Sequence, residues 1–133
     1  MEKKSIKTLL LGSVVLLLAV LLGAFGAHGL KKILDPKYMA TFQTGISYQY
    51  YHGFALLFLG LLGLHTPASA ARGLKKAKVA FLLGILFFSG NCYLYALTKL
   101  QIFALLVPLG GISFILGWIY LYLSLRSWKK QYP

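Results

Sequence analysis

The side chains that could do chemistry in this chain are mostly imidazoles, amides and phenols placed within long apolar runs. Five of them could converge near one end of the predicted helices: His28, Gln49, His52, Asn91 and Tyr95. Imidazole and amide groups can orient a ligand, so one hypothesis is a pocket for a lipid headgroup, a quinone-like ring or a small solute. The alternative is that these groups hydrogen-bond to one another and fix helix register, at about 0.6 kcal/mol per contact in membranes. We favour this second interpretation.

Carboxylate chemistry is excluded by composition. Glu2 and Asp35 are the only acidic residues, against 14 Lys and Arg, for a net charge of +12. Paired-carboxylate hydrolysis, carboxylate-bound metals and membrane-embedded proton relays need acids that are absent. A nucleophile at Ser47, Ser89 or Ser113 would lack an orienting acid within the spans. We therefore expect no enzyme activity, no catalytic residue and no cofactor.

Metal and thiol chemistry have little support. His28, His52 and Cys92 are suitable zinc or copper ligands, but no two His lie at i and i+4. Cys92 is the only cysteine, so no intrachain disulfide or two-cysteine redox motif exists. We expect no metal site. The basic charge does not predict nucleic-acid binding either, because no basic module in water is available.

The elements that must position these residues are membrane helices. The chain has 133 residues, 59% hydrophobic and 12% charged, with a mean hydropathy of +0.74. Four spans of about 20 residues would use about 80 positions, close to the hydrophobic total. Residues 1–133 are predicted to form one transmembrane domain with spans at about 8–27, 45–64, 79–97 and 102–125. The second helix is predicted to begin earlier, where Asp35 can accept from first-turn amides and Pro36 suits the first helical position.

Small residues at heptad spacing predict how the spans pack. Such residues let helices approach closely in lipid, and a seven-residue period is typical of left-handed crossings. The stripes comprise Gly12, Ala19 and Gly26, then Ala77, Gly84 and Asn91, then Gly110, Gly117 and Ser124. The predicted fold class is all-α, an antiparallel four-helix bundle in the membrane.

On the second span, polar residues share one arc, which we predict to face protein: Thr41, Thr44, Ser47, Tyr48, Tyr51 and His52. Gln49 and the glycines of this span extend the arc on one side. The opposite face is predicted to meet lipid and holds Ile46, Tyr50, Phe54, Leu57, Leu61 and Leu64.

Two connecting segments have different characters. The segment 28–44 is too apolar for a solvated loop, so we expect a short amphipathic external segment that lies on the outer leaflet or folds onto the bundle. The segment 65–78 contains Pro67, Ser69 and Gly73 and is predicted to be a flexible connector.

Basic residues predict the orientation. Ten lie at one end of the spans: Lys3, Lys4, Lys7, Arg72, Lys75, Lys76, Lys78, Arg126, Lys129 and Lys130. Four lie at the other: Lys31, Lys32, Lys37 and Lys99. The positive-inside rule places the first group, and both termini, in the cytoplasm. These residues also attract anionic headgroups, so membrane lipids are expected partners.

Several motifs together resemble a known family. They are Gly23-Ala24-Phe25-Gly26-Ala27-His28-Gly29-Leu30, Phe42-Gln43-Thr44 with Tyr48-Gln49 and His52, Phe88-Ser89-Gly90 with Tyr93, and Pro108-Leu109-Gly110-Gly111 with Gly117-Trp118. This pattern is similar to the YgdD/YwdK family of small bacterial inner-membrane proteins of unknown function. The resemblance implies four spans in a bacterial cytoplasmic membrane, and it supplies no reaction.

Two functions stay open from the sequence. The first is a structural or accessory module that binds lipid or another membrane protein, to which the 14 glycines contribute close-packing grooves. The alternative is a small-solute or ion transporter or channel formed by a homo-oligomer. Its pore would be lined by Thr41, Ser47 and Tyr48 with Asn91. We favour the first.

Overall fold

The computed structural model describes residues 2–130, and all regular structure in that range is helical. The helices are α1 (Glu2–Phe25), α2 (Pro36–His65), α3 (Ala68–Gly84), α4 (Gly90–Thr98) and α5 (Gln101–Lys129). A π-helical turn, Gly26–Leu30, extends α1, and a second, Ile85–Ser89, joins α3 to α4. The prediction of an all-α membrane bundle is confirmed.

Three helical stretches in the described range are long and apolar enough to cross a membrane: Glu2–Leu30, Ala68–Thr98 and Gln101–Lys129. α2 is as long as these, at 30 residues, but carries more polar side chains. The fold therefore combines three apolar stretches with one helix, α2, that brings Gln49 and His52 into the interior.

α1 and α2 pack as an antiparallel pair through glycines. Leu9 faces Gly60 and Leu16 faces Gly53, while Leu57 of α2 faces Gly12 of α1. A Cβ added at Gly60 would lie 2.6 Å from the Leu9 side chain, so each glycine makes space for a leucine of its neighbour. These reciprocal contacts set the helix separation.

α3 and α5 form the second antiparallel pair. Gly117 accommodates the Phe81 ring and Gly84 accommodates the Phe114 ring, while Ser124 lies against Gly73. α2 connects the pairs by packing against α3, α4 and the π-helical turn between them. The main apolar core lies where the pairs meet and includes Leu56, Leu59, Leu74, Ala77, Phe81, Phe114 and Leu121.

The segment 28–44 is mostly helical. Only residues 31–35 lie between the first π-helical turn and α2, which begins at Pro36 as predicted. The segment folds onto the bundle, since Leu30 and Phe42 are buried in a second apolar cluster with Ala96. The Asp35 cap was predicted wrongly: its carboxylate makes no capping bond and instead lies 3.4 Å from the Lys99 ammonium.

The prediction of a flexible connector at 65–78 was wrong. Only Thr66 and Pro67 lie outside helices there, and α3 already begins at Ala68. The reason is a buried stripe of Ala70, Leu74 and Ala77 at helical spacing, which packs the segment into the core.

The predicted faces of α2 were also partly wrong. Ile46 is 5% exposed and lies in the interior, whereas Thr44 and Tyr51 are exposed. The Thr44 hydroxyl donates to the Ala40 carbonyl at 3.0 Å, so its polarity is satisfied within its own helix. Glycines and Gln49, rather than hydroxyl groups, mark the buried face.

Candidate functional site

Gln49 joins three helices at the centre of the fold. Its side-chain Nε2 donates to the Val15 carbonyl of α1 at 2.9 Å, and its Oε1 accepts from the Tyr93 hydroxyl of α4 at 2.6 Å. The residue is 4% exposed. One amide thus uses both its donor and its acceptor to hold α1 and α4 against α2.

His52 is held as a neutral imidazole by two partners of fixed polarity. The Tyr48 carbonyl can only accept, and it lies 2.8 Å from Nδ1. The Trp118 indole can only donate, and it lies 3.3 Å from Nε2. The proton therefore sits on Nδ1 and the lone pair on Nε2. The hydrogen bond from the Trp118 indole to His52 Nε2 links α2 to α5.

An aromatic cluster surrounds that imidazole. The Phe114 ring stacks on His52 with centroids 3.4 Å apart and planes at 7°. Phe81 contacts both His52 and Trp118, with centroids 5.3 and 5.0 Å apart. Because Gly84 and Gly117 make space for Phe114 and Phe81, the glycines of α3 and α5 position the rings that enclose the imidazole.

The π-helical turn Ile85–Ser89 places another polar bond across the interface. Ser89 is fully buried, and its hydroxyl donates to the Gly45 carbonyl of α2 at 2.7 Å. Asn91, two residues later, is also buried, but its amide donates to the Phe87 carbonyl of its own helical segment. π-helical turns recur at functional sites, and here the turn brings Ser89 to α2.

The five predicted pocket residues do not form one cluster. Gln49 and His52 lie on the same buried face of α2, but their partners are Tyr93 and Trp118 rather than each other. Tyr95 packs edge-on against Tyr38 with centroids 5.5 Å apart, and His28 is exposed in the π-helical turn Gly26–Leu30. No hydrogen bond between two of the five is seen in the described part of the chain.

Tyr93 and Trp118 are partners in the site that reasoning from the sequence does not assign to it. The signal that could have found them is general, since a Tyr hydroxyl or Trp N–H within an apolar span needs a hydrogen-bond partner. In the described range, no buried side-chain nitrogen or oxygen lacks one. Gln49, His52 and Ser89 bond to other helical elements, whereas Asn91 bonds within its own helical segment.

Two residues considered for a pore lining bond within their own helix, and those considered for a metal site form no cluster in the part of the chain that the structure describes. The hydroxyls of Thr41 and Ser47 donate to the carbonyls of Lys37 and Gln43 in their own helix. Among residues 2–130, no group of three His, Cys, Asp or Glu side chains could hold a metal ion.

A cavity of about 540 Å³ opens at the basic end, where α1 and α3 begin. We call it the first groove. Its basic residues are Lys4, Arg72, Lys75 and Lys78, and its apolar wall includes Leu59 and Leu74. The lining contains no carboxylate. The hydroxyls of Thr8 and Thr66 donate to the carbonyls of Lys4 and Leu62, so ammonium and guanidinium groups are the main donors available to a ligand.

A second groove of about 480 Å³ lies on the other side of α3, against α5. Arg72 and Lys75 line it as well, and Lys76 is added. The Lys76 ammonium lies 5.5 Å from the Tyr120 ring centroid, which holds it at this groove by a cation–π contact. The exposed basic side of α3 thus separates two cavities and contributes cations to both.

The helices and their apolar surfaces define an all-α membrane protein. A family described as "Protein of unknown function (DUF423)" matches residues 22–111, and the chain belongs to that family. A UPF0382 membrane protein of Staphylococcus epidermidis is 40% identical over 116 residues, which cover 87% of this chain and 92% of the relative.

Two further relatives carry the same description. YwdK of Bacillus subtilis, a UPF0382 membrane protein, is 38% identical over 111 residues, 84% of this chain and 89% of the relative. One from Haemophilus influenzae is 40% identical over 112 residues, 81% and 85% of the two chains. The predicted resemblance to the YgdD/YwdK family is confirmed. No solved structure matches the chain.

Proposed function

We propose that the protein is a structural or accessory module of the bacterial cytoplasmic membrane that binds anionic lipid at its basic end. The observation that carries this proposal is the first groove, in which Lys4, Arg72, Lys75 and Lys78 lie beside an apolar wall. Lys78 is only half-exposed there. A phospholipid has the complementary chemistry, with a phosphate for the cations and acyl chains for the wall.

The orientation follows from the same charges. Ten basic residues at this end against four at the other favour a multi-pass protein with both termini and the groove on the cytoplasmic side. That leaflet carries the negative surface potential to which basic side chains respond.

The buried polar groups support a structural role. Gln49 bonds to α1 and α4, and His52 bonds to α5 through its Nε2, and such bonds fix how helices sit against one another. A homo-oligomer or a complex with another membrane protein would use the exposed apolar faces of α1 and α5.

Lipid binding is tested with the purified full-length chain in nanodiscs of phosphatidylcholine that contain increasing phosphatidylglycerol. The test variant combines Arg72→Gln, Lys75→Gln and Lys78→Gln. At about 1 kcal/mol for each basic side chain near a membrane surface, it should weaken phosphatidylglycerol binding about a hundredfold.

The matched control removes three charges at the other end, through Lys31→Gln, Lys32→Gln and Lys37→Gln. It should retain binding close to that of the unmodified chain. Equal losses in both triple variants would contradict the groove as the binding site. Binding of phosphatidylglycerol no stronger than of phosphatidylcholine would contradict lipid binding altogether.

The transporter alternative is separated by flux. In liposomes, His52→Ala and Gln49→Ala should lower stability without removing any solute passage. Passage that is present in the unmodified chain and absent in His52→Ala, at unchanged stability, would favour an oligomeric transporter over the structural module.

A further inference from the structure

We infer that the two grooves beside α3 form one site for a lipid with two phosphate groups and four acyl chains. This inference rests on the proposed function and specifies its lipid. The first groove lies on the α1 side of α3 and the second on the α5 side. Arg72 and Lys75 line both grooves, so the two cavities meet at this pair of cations.

The charges suit two phosphates better than one. Lys4 and Lys78 line the first groove alone, and Lys76 lines the second alone. With one phosphate in the first groove, Lys76 would have no anionic partner in the site. A second phosphate would pair with it, while the two shared cations lie between the phosphates. An Arg guanidinium has five N–H donors, enough to contact both.

The walls of the grooves suit the acyl chains. Leu59 and Leu74, which belong to the buried apolar core, also line the first groove. The second is lined by Val79 and Leu83, which follow the basic residues along α3, and by Leu116 of α5. Each phosphate would therefore carry its two chains along a different side of α3.

Affinity should gain from the linkage itself. Once one phosphate is bound, the second is held next to its groove, so its binding costs no further loss of translational freedom. Two separate lipids of one phosphate each would both incur that loss. A two-phosphate lipid should therefore bind more tightly than a one-phosphate lipid compared at equal phosphate concentration.

The experiment compares diphosphatidylglycerol with phosphatidylglycerol in phosphatidylcholine nanodiscs that hold the full-length chain. Dissociation constants are measured by competition with a fluorescent anionic lipid, at equal phosphate concentration. We expect diphosphatidylglycerol to bind at least tenfold more tightly. Lys76→Gln should remove most of this preference, because it alters only the second groove, and should change phosphatidylglycerol binding in the first groove less than twofold.

Lys7→Gln is the matched control, since Lys7 is an exposed lysine of the same end that lines neither groove. It should leave the preference intact. Arg72→Gln should weaken both lipids, by about fivefold for each phosphate that the guanidinium binds. Thermal unfolding of each variant verifies that the fold is retained, which is expected because Lys7, Arg72 and Lys76 are exposed.

The outcomes separate the two proposals. Equal binding of both lipids per phosphate, each stronger than phosphatidylcholine, overturns the two-phosphate site and leaves the proposed function standing. A preference that Lys76→Gln does not reduce overturns the role of the second groove. Binding of neither lipid above phosphatidylcholine overturns the proposed function as well.

Discussion

Any larger residue at Gly110 should destabilise the protein, because this glycine lies against the backbone of the π-helical turn Ile85–Ser89. A Cβ added there would meet the Phe88 amide nitrogen, and would lie 2.6 Å from the Phe88 Cβ and 2.7 Å from the Phe87 carbonyl carbon. Carbon atoms in contact need about 3.5 Å. Since backbone cannot rotate away as a side chain can, Gly110→Ala must move α5 outward by about 1 Å.

The cost can be worked from the contacts that this shift affects. Overpacking a filled interface costs about 1–3 kcal/mol. The same movement lengthens the bond from the Ser113 hydroxyl to the Ala80 carbonyl, now 2.7 Å, and the 3.3 Å bond from Trp118 to His52. These add about 0.6 kcal/mol each. The helix-propensity gain of Ala over Gly, at most about 1 kcal/mol, opposes them. We expect a net destabilisation of about 1–3 kcal/mol.

The neighbouring glycine gives a matched control. A Cβ at Gly111 would lie 3.9 Å from the Phe88 ring, an ordinary contact, so Gly111→Ala should be neutral or slightly stabilising. The unfolding of both variants is measured in detergent. Each also carries Trp128→Phe, so that tryptophan fluorescence reports on Trp118 alone. Gly110→Ala should unfold earlier and alter the Trp118 emission before unfolding. Equal stability of the two variants would refute the close approach.

Three further predictions concern polar contacts. Gln49→Leu should lose about 1 kcal/mol of stability, because it removes two interhelical bonds; an unchanged unfolding midpoint in detergent would contradict this role. Trp118→Phe should destabilise the protein by about 1 kcal/mol, because it leaves the Nε2 of His52 without a hydrogen-bond donor. Adding His52→Phe to this variant should cost little more stability, and a double-mutant cycle measures the difference. Asp35→Asn should leave the melting temperature nearly unchanged, since Asp35 and Lys99 are 68% and 52% exposed; a shift of several degrees would show a stronger ion pair.

The helices were predictable because their signals are local. Pro36 has the geometry of a first helical residue and begins α2. The residues named from heptad spacing, including Ala19, Ala77 and Asn91, are all buried. A seven-residue period in small side chains needs no knowledge of the partner helix, so the sequence alone reveals it.

The errors arose where contacts with a neighbouring helix determine which residues are buried or helical. Thr44 and Tyr51 look like interior residues on a helical wheel, yet the buried face of α2 is set by which glycines receive Leu9 and Leu16 of α1. The segment after His65 has loop-like composition, but contacts of Ala70 and Leu74 with the core make it helical. Local composition contains no information about either neighbour.

The sequence predicted which polar residues of α2 belong to the candidate site, but not their hydrogen-bond partners. The buried His and Gln of α2 were identified, yet their partners lie 66 and 44 residues away along the chain. The two π-helical turns also have no clear pattern in the sequence. The second of them brings Ser89 to Gly45, a contact that spacing on a regular α-helix does not predict.

The basic residues have two separable consequences for this protein. A topological signal depends on how many Lys and Arg lie near the helix ends, whichever way their side chains point. Lys3, Lys7 and Arg126 meet that requirement without lining either groove. Lys78 differs, because it is half-buried in the first groove, beside the apolar wall and next to Arg72 and Lys75. The proposed topology would account for the number of basic residues, whereas the proposal of an anionic ligand rests on the four cations that line the first groove without a carboxylate.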